Sequence, residues 1–294
     1  MLIDPISSSD TIRIAQINIL NSAEDPEYRY RFLAHELSVI EPDILALQEV
    51  LDPAAVEDQL KEVGFTDFRW AQASIRTGKA DYSGIASKMS PVGSQRISYD
   101  SIADNLKTGL LCAFEIEGGL LYVVSSHFAW SMTNEHLRLR QASLLSGLAD
   151  TLMSGTEYGE SSGGSVVILA GDLNADESSR TVRYLRGLDL GVSDDDTAYW
   201  IDAYEAAVSH ERDDIWATSD QGNSYWGRRT AARHGIIAPQ MLPQRRIDYI
   251  FSHGWSYGKR GSPVSYHRFG APRPEHGFDH DLSDHYGICV DILL

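Results

Sequence analysis

Residues 166–174 read VVILAGDLN: five apolar side chains in a row, Val166 to Ala170, and then a polar stop carrying Gly171, Asp172 and Asn174. A run this short, closed by turn-forming residues, predicts a strand buried on both faces. Its end delivers Asp172 and Asn174 together, because residues two apart on a strand end or tight turn can face one pocket. The same arrangement recurs in both directions along the chain. Thr11–Asn18 (TIRIAQIN) alternates apolar and polar residues like a half-buried strand and ends at Asn18. Asp43–Leu47 (DILAL) is a short apolar run leading to Gln48 and Glu49, Leu120–Ser126 leads to His127, and Asp284-His285 precede the strand Tyr286–Leu293. Strand ends lie at the rim of a sheet, where open α/β folds build ligand sites. One carboxylate after a strand is ordinarily a helix cap or a turn former. Its repetition at strand end after strand end points to chemistry.

The other elements follow from periodicity. Asp25–Ile40 carries Phe32, Leu33, Leu37 and Ile40 on one helical stripe, and Pro53–Val63 reads as a helix closed by Gly64. Asp67–Ala73, Ser83–Lys88, Val92–Ser98 and Thr108–Ile116 are short strands, with a tight hairpin turn at Glu117-Gly118-Gly119. Asn134–Met153 predicts a long helix, Glu177–Leu188 and Trp200–Val208 shorter ones, and Arg246–Phe251 a strand. Glu211–Pro243 has no clean period and reads as long loops. Gly155–Ser165, rich in Gly and Ser, interrupts a helix-to-strand step that continues on either side, so one domain over residues 1–294 is expected.

Bulk composition narrows the function. The chain of 294 residues is 43% hydrophobic and 10% aromatic, as a globular protein is. Forty-two acidic residues face 25 basic ones, giving a formal charge of −17. Tight, sequence-independent nucleic-acid binding rests on many Lys and Arg contacts to phosphates, so a duplex-coating protein is disfavoured. An enzyme acting transiently is compatible, because a metal ion can supply positive charge where a phosphate reacts. Cys112 and Cys289 lie in apolar runs and read as buried thiols. With no basic, apolar leader and no apolar run of membrane-spanning length, a cytoplasmic protein without stable membrane association is expected. Nothing in the sequence indicates a protein partner.

The segments IAQINIL, LALQEV, SSHF, LAGDLNA, RRIDYIF and LSDHYGICV, in this order over nearly the whole chain, resemble the successive motifs of the endonuclease/exonuclease/phosphatase superfamily. The resemblance implies a four-layer α/β sandwich: two packed, mostly antiparallel sheets flanked by helices. It also implies a divalent-metal-dependent phosphoester hydrolase, using Mg²⁺ or Mn²⁺. By that resemblance Glu49 is a metal ligand, Asn18 completes its surroundings, and Asp284 can help with a metal. Asp172 is similar to the carboxylate that orients or deprotonates the attacking water, and Asn174 to the amide that donates to a phosphate oxygen. Asp248 resembles the partner that fixes the tautomer of a catalytic His285, and His127 the histidine that contacts phosphate. A phosphodiester of nucleic acid or of a nucleic-acid adduct is the expected substrate, with a lipid or inositol phosphate, as in sphingomyelinases, as the runner-up. A catalytically inactive binding module of the same fold is the remote alternative.

Four further groups call for a reading. Arg138 and Gln141 lie three apart, hence on one helix face, and Arg138 is a candidate for substrate binding, although a brace for the His127 loop or a solvated face fits too. Arg228-Arg229 and Arg245-Arg246 are the basic doublets, and the first has Tyr225 and Trp226 beside it. Cations beside aromatics can hold phosphates and stack bases, which makes Arg228 and Arg229 substrate-binding candidates. His267, His276, His280 and Asp281 match no zinc spacing and read as a mobile loop over the active site.

Overall fold

The computed structural model describes residues 11–22, 25–76, 79–103, 107–154, 164–208, 245–254 and 260–294, with the backbone alone at 74–76, 79 and 208. Strand β1 (Thr11–Asn18) pairs in parallel with β2 (Ile44–Val50). A parallel pair cannot be closed by a tight turn and needs a crossover. Helix α1 (Pro26–Ile40) supplies it, and α2 (Pro53–Lys61) follows β2, capped where the Asp52 side chain accepts from Ala55 N–H at 3.1 Å. The hairpin of β3 (Asp67–Arg76) and β4 (Lys79–Ser87) extends this sheet on one side.

The second sheet repeats the plan. Strands β5 (Gly93–Ile97), β6 (Gly109–Ile116) and β7 (Gly119–His127) form an antiparallel meander. Helix α3 (Glu135–Met153) then crosses over to β8 (Val166–Asp172), which lies parallel to β7. After α4 (Arg180–Leu185) come β9 (Trp200–Asp202), α5 (Ala203–Val208) and β10 (Asp248–His253). Strands β11 (His267–Phe269) and β12 (Gly287–Leu293) return to the first sheet. The orders are β11-β12-β1-β2-β4-β3 and β5-β6-β7-β8-β10-β9. Each sheet has one parallel pairing, β1 with β2 or β7 with β8, and is otherwise antiparallel.

The layers follow from where apolar side chains go. Ile14, Ile44, Ile85 and Val290 of the first sheet meet Cys112, Phe114, Val123 and Ile168 of the second. The outer face of the first sheet buries Ile17, Leu45 and Leu47 under Phe32, Leu33 and Leu37 of α1 and Val56 and Leu60 of α2. Leu111, Val124 and Leu169 of the second sheet lie under Leu139, Ala142 and Leu145 of α3 and Val182 of α4. The result is the expected four-layer sandwich. Central strands covered on both sides have no solvent face, hence their unbroken apolar runs. Both cysteines are buried and free, as read from the sequence. Among the described residues, no helix is long and apolar enough to cross a membrane.

Gly171 shows how tightly β7 and β8 approach: a Cβ there would stand 2.0 Å from the Ser126 carbonyl oxygen. This glycine brings His127 and Asp172 side by side at the end of the pair.

Three expectations change. Trp200–Val208 is a short edge strand followed by a helix, not one helix. The buried Trp200 donates its indole N–H to Ser146 Oγ at 3.0 Å, and the strand pairs with β10. The helix expected over Glu177–Leu188 contracts to Arg180–Leu185, because Ser179 caps it by accepting from Val182 N–H and Gly187 at φ +73° follows its end. The histidine-rich segment is not loop throughout, and it is anchored to α1 although its three histidines are exposed. His267 opens β11, Phe278 stacks on Phe32 of α1 with centroids 4.3 Å apart, and Tyr28 Oη donates to the His280 carbonyl at 2.9 Å. The segment Glu211–Pro243 lies outside the described residues.

Candidate active site

One carboxylate oxygen organises the rim. Asp172 Oδ2, at the end of β8, accepts from Asn18 Nδ2 at 3.0 Å and lies 3.4 Å from His127 Nε2 and 3.7 Å from His285 Nε2. Its other oxygen accepts from the Asn174 backbone N–H at 2.8 Å. Asn18 ends β1, His127 ends β7 and His285 precedes β12, so the two sheets contribute jointly. All four side chains are buried. Asn174 sits at φ +49°, a left-handed conformation that asparagine tolerates better than most residues, and its Nδ2 donates to the Phe128 carbonyl at 3.2 Å.

Glu49 is aimed by a bulge. The β2–β4 register slips between Leu47 and Val50, and Glu49 adopts φ +61° within the slip. Bulges re-aim side chains beside active sites, and non-glycine residues held in this region mark over-determined, functional positions. Glu49 Oε2 accepts from Asn21 N–H at 2.9 Å, while Lys107 Nζ stands 2.9 Å from Oε1. The same ammonium lies 2.9 Å from Asp81 Oδ2 and 3.2 Å from His127 Nδ1. Burial works against ionisation of Glu49, but Lys107 overcomes it and holds the carboxyl far below the usual range. Burial, followed by the repulsion of Lys107, pulls His127 down to about 4. An ammonium only donates, so His127 accepts at Nδ1 and carries its proton on Nε2, facing Asp172.

His285 is held in the opposite state. Its Nδ1 lies 2.8 Å from Asp248 Oδ2. Burial disfavours a charged ring, yet Asp248 and Asp172 outweigh it and keep the imidazole protonated well above its ordinary pKa. The Asp248 carboxylate is fixed from the sheet interface, where Gln16 Nε2 donates to Asp248 Oδ1 at 3.0 Å and to Gln48 Oε1 at 2.7 Å. Gln48 in turn donates to Ser125 Oγ at 3.0 Å.

Two groups of side chains at the rim bring together atoms that can ligate a cation, and the second is made of oxygen donors alone. Asp172, Asp248 and His285 each offer a ligand atom within 4.8 Å of the others. Glu49, Asn18 and Asp284 form the set expected from sequence. Asp284 is a buried carboxyl pushed up to about 6, first by burial and then by the Glu49 charge. A carboxylate so poorly compensated fits a cation beside it.

Sequence reasoning missed Lys107, Asp81 and Gln16. A lone lysine before a strand looks like a solvated turn, and only the fold brings it to Glu49. If Lys107 neutralises that pair, Lys107→Met leaves the buried Asp81 and the half-buried Glu49 carboxylates without their cation. Loss of one partner from a buried ion pair costs about 3–5 kcal/mol. Thermal unfolding in EDTA should show a loss of that size, partly restored by Mg²⁺; an unchanged melting temperature would reject the assignment.

Arg138 is buried, with its guanidinium turned into the loop after His127. Nη1 donates to the Ala129 and Ser131 carbonyls at 2.8 and 2.7 Å, and Nη2 pairs with Glu135 at 2.9 Å. Gln141 Oε1 accepts from Ala129 N–H at 2.9 Å. Arg246 is buried too, clasping Asp202 through two contacts of 2.7 Å between the rings of Tyr204 and Tyr249. Arg228 and Arg229, with Tyr225 and Trp226, lie outside the described residues.

A sequence profile of the Endonuclease/Exonuclease/phosphatase family matches residues 15–285. The chain belongs to that family. Members of the Endonuclease/Exonuclease/phosphatase family are phosphoester hydrolases, which sets the enzyme class of this chain. No curated protein matches it by sequence. Among solved structures, zebrafish (D. rerio) TDP2 complexed with a single-strand DNA product is similar at 20% identity and TM-score 0.69, covering 97% of this chain and 99% of that one. TDP2 from C. elegans is similar at 19% identity and TM-score 0.69, covering 97% and 76%. The human Nocturnin catalytic domain with a bound sulfate anion is similar at 17% identity and TM-score 0.64, covering 96% and 94%. At these identities the likeness establishes the shared fold of the family.

Proposed function

We propose that this family member, as a single catalytic domain, hydrolyses a phosphodiester of nucleic acid or of a nucleic-acid adduct by direct attack of water. The observation that carries the reading is the convergence of Asn18, His127 and His285 on Asp172 Oδ2, beside the bulged Glu49. Glu49, Asn18 and Asp284 would hold a Mg²⁺ or Mn²⁺ ion, and a hard divalent cation there supplies neutralisation of charge on non-bridging phosphate oxygens. Asp172 orients the attacking water and takes its proton. Asn174 donates its side-chain amide to a phosphate oxygen, and neutral His127 offers Nε2–H to another. His285, protonated and steadied by Asp248, stabilises charge developing in the transition state. Arg138 serves substrate indirectly, by bracing the loop that carries His127. Arg228 and Arg229 remain candidates to grip substrate directly. The choice of nucleic acid draws support from the similar D. rerio TDP2, whose structure holds a single-strand DNA product.

The test is a substrate screen in Mg²⁺ and in EDTA: single-stranded and duplex oligonucleotides, with and without a blocked end, alongside sphingomyelin and inositol phosphates. Hydrolysis of oligonucleotides that EDTA abolishes is the expected result. Turnover confined to the lipid or inositol phosphates would replace this reading with the sphingomyelinase-like one.

A further inference from the structure

The loop after His127 buries its first residues and then presents two large apolar side chains to solvent. Phe128 and Ala129 are 1% and 8% exposed, whereas Trp130 is 55% and Met132 75% exposed. Single exposed hydrophobic residues are common and need no account. This pair differs because the chain carrying it is bolted down. Phe128 N–H donates to the Asp172 carbonyl at 2.9 Å, and the Phe128 carbonyl accepts from the Asn174 amide at 3.2 Å. Arg138 grips the carbonyls on both sides of Trp130, those of Ala129 and Ser131. Glu135, which holds the Arg138 guanidinium, is itself fixed by Thr181, whose N–H and Oγ1 donate to Glu135 Oε1 at 2.7 and 2.9 Å. These bonds fix the backbone on both sides of Trp130, whose side chain remains 55% exposed.

The place matters as much as the exposure. Trp130 is two residues beyond Phe128, so its Cα lies within about 7 Å of the residue that contacts both Asp172 and Asn174. A substrate with its phosphate at those residues would have a neighbouring nucleotide within reach of this loop. With a formal charge of −17, the protein has little broad basic surface on which to hold a polyanion, so uncharged contacts must contribute. Aromatic stacking is such a contact: every base has a π-face, and stacking is not screened by salt.

Resting on the nucleic-acid reading above, we infer that Trp130, backed by Met132, is a stacking subsite for the unpaired base of a nucleotide next to the scissile phosphate. A platform on a backbone already fixed requires no ordering of the loop on binding, so the contact improves affinity without changing the chemistry.

The experiment compares wild-type enzyme with Trp130→Ala, Trp130→Phe and Met132→Ala on a single-stranded oligonucleotide, and on the same oligonucleotide with abasic sites at the nucleotides flanking the cleaved bond. Trp130→Ala should raise KM for the normal substrate about ten-fold or more, since stacking on one aromatic ring is worth on the order of 1–3 kcal/mol, with kcat within about two-fold. Trp130→Phe should recover most of that loss, and Met132→Ala should show a smaller rise. The abasic substrate should bind wild type weakly and be indifferent to Trp130→Ala, because the two changes remove the same contact. The fold-loss should also be equal at low and high salt. Unchanged KM in Trp130→Ala, or full additivity with the abasic change, overturns the subsite while leaving the nucleic-acid activity standing. If wild type cleaves no oligonucleotide at all, the underlying reading fails and the subsite with it. A KM effect of Trp130→Ala seen only on sphingomyelin vesicles would assign the pair to a lipid surface instead and equally overturns it.

Discussion

His285→Ala should reduce kcat by about 10²–10⁴-fold, the range over which a positioned proton-transfer or charge-stabilising group acts. Asp248→Asn should approach the same loss, although it leaves the shape of the site intact. The His285 ring lies between two carboxylates, with Nδ1 at 2.8 Å from Asp248 and Nε2 at 3.7 Å from Asp172. Asparagine at 248 removes the charge that most favours the protonated ring, so His285 loses its proton at lower pH. The sign is definite. A histidine whose folded pKa is raised contributes stability and function that are complete at low pH and are lost as pH rises through that pKa. Asp248→Asn should therefore move the alkaline limb of the kcat profile downward. The double variant should be no slower than the worse single one, because the pair acts as a unit. A double loss equal to the product of the two single losses would separate the two residues and defeat the shared role.

The backbone that carries these groups is legible in the sequence because its signals are local. The apolar run at residues 166–170 needs cover on both faces, and the stripes of α1 and α3 supply the outer layers. The short edges are not legible. Three residues in β9 and three in β11 have no period to read, and each is a strand only because β10 or β12 lies beside it. Trp200 and Ile201 fit a helical stripe equally well until pairing decides.

The site divides along the same line. Asn18, Glu49, His127, Asp172 and His285 stand at strand ends, and a strand end is visible in a single sequence. Which partners they meet depends on contacts across the chain: Lys107 reaches Glu49 over 58 residues, and Gln16 reaches Asp248 over 232. Arg138 illustrates the ambiguity. Its helix face can be read with Gln141, but whether that face meets solvent, substrate or loop is decided by the path of residues 128–134. The tertiary structure turns its guanidinium onto the Ala129 and Ser131 carbonyls.

Glu49→Gln should reduce Mg²⁺ affinity by an order of magnitude or more and turnover by several, while leaving the fold intact. The substitution keeps the shape of the side chain and removes its charge. Glu49 is suited to ligation because it is already ionised and already aimed: Asn21 N–H holds Oε2 at 2.9 Å, and the bulge in β2 fixes the backbone at φ +61°. Glutamine keeps one oxygen donor, so the loss is of charge and not of a ligand atom. Lys107 would then face Asp81 without its second carboxylate, which makes the variant's charge balance at the site one unit more positive and weakens cation binding further. Isothermal titration of the wild type with Mg²⁺ should also show affinity rising as pH increases through about 6. Asp284, pushed up to about 6 chiefly by burial, must lose its proton before it can ligate. Below about 6 the folded apo protein keeps Asp284 protonated and a cation must displace that proton; above it the carboxylate is free to ligate. In Glu49→Gln the dependence should persist at lower overall affinity but move to lower pH, because burial of Asp284 remains while the Glu49 charge that helps to raise it is gone. Wild-type Mg²⁺ affinity in Glu49→Gln would remove Glu49 from the metal site and leave Asp172, Asp248 and His285 as the donor set to be tested next.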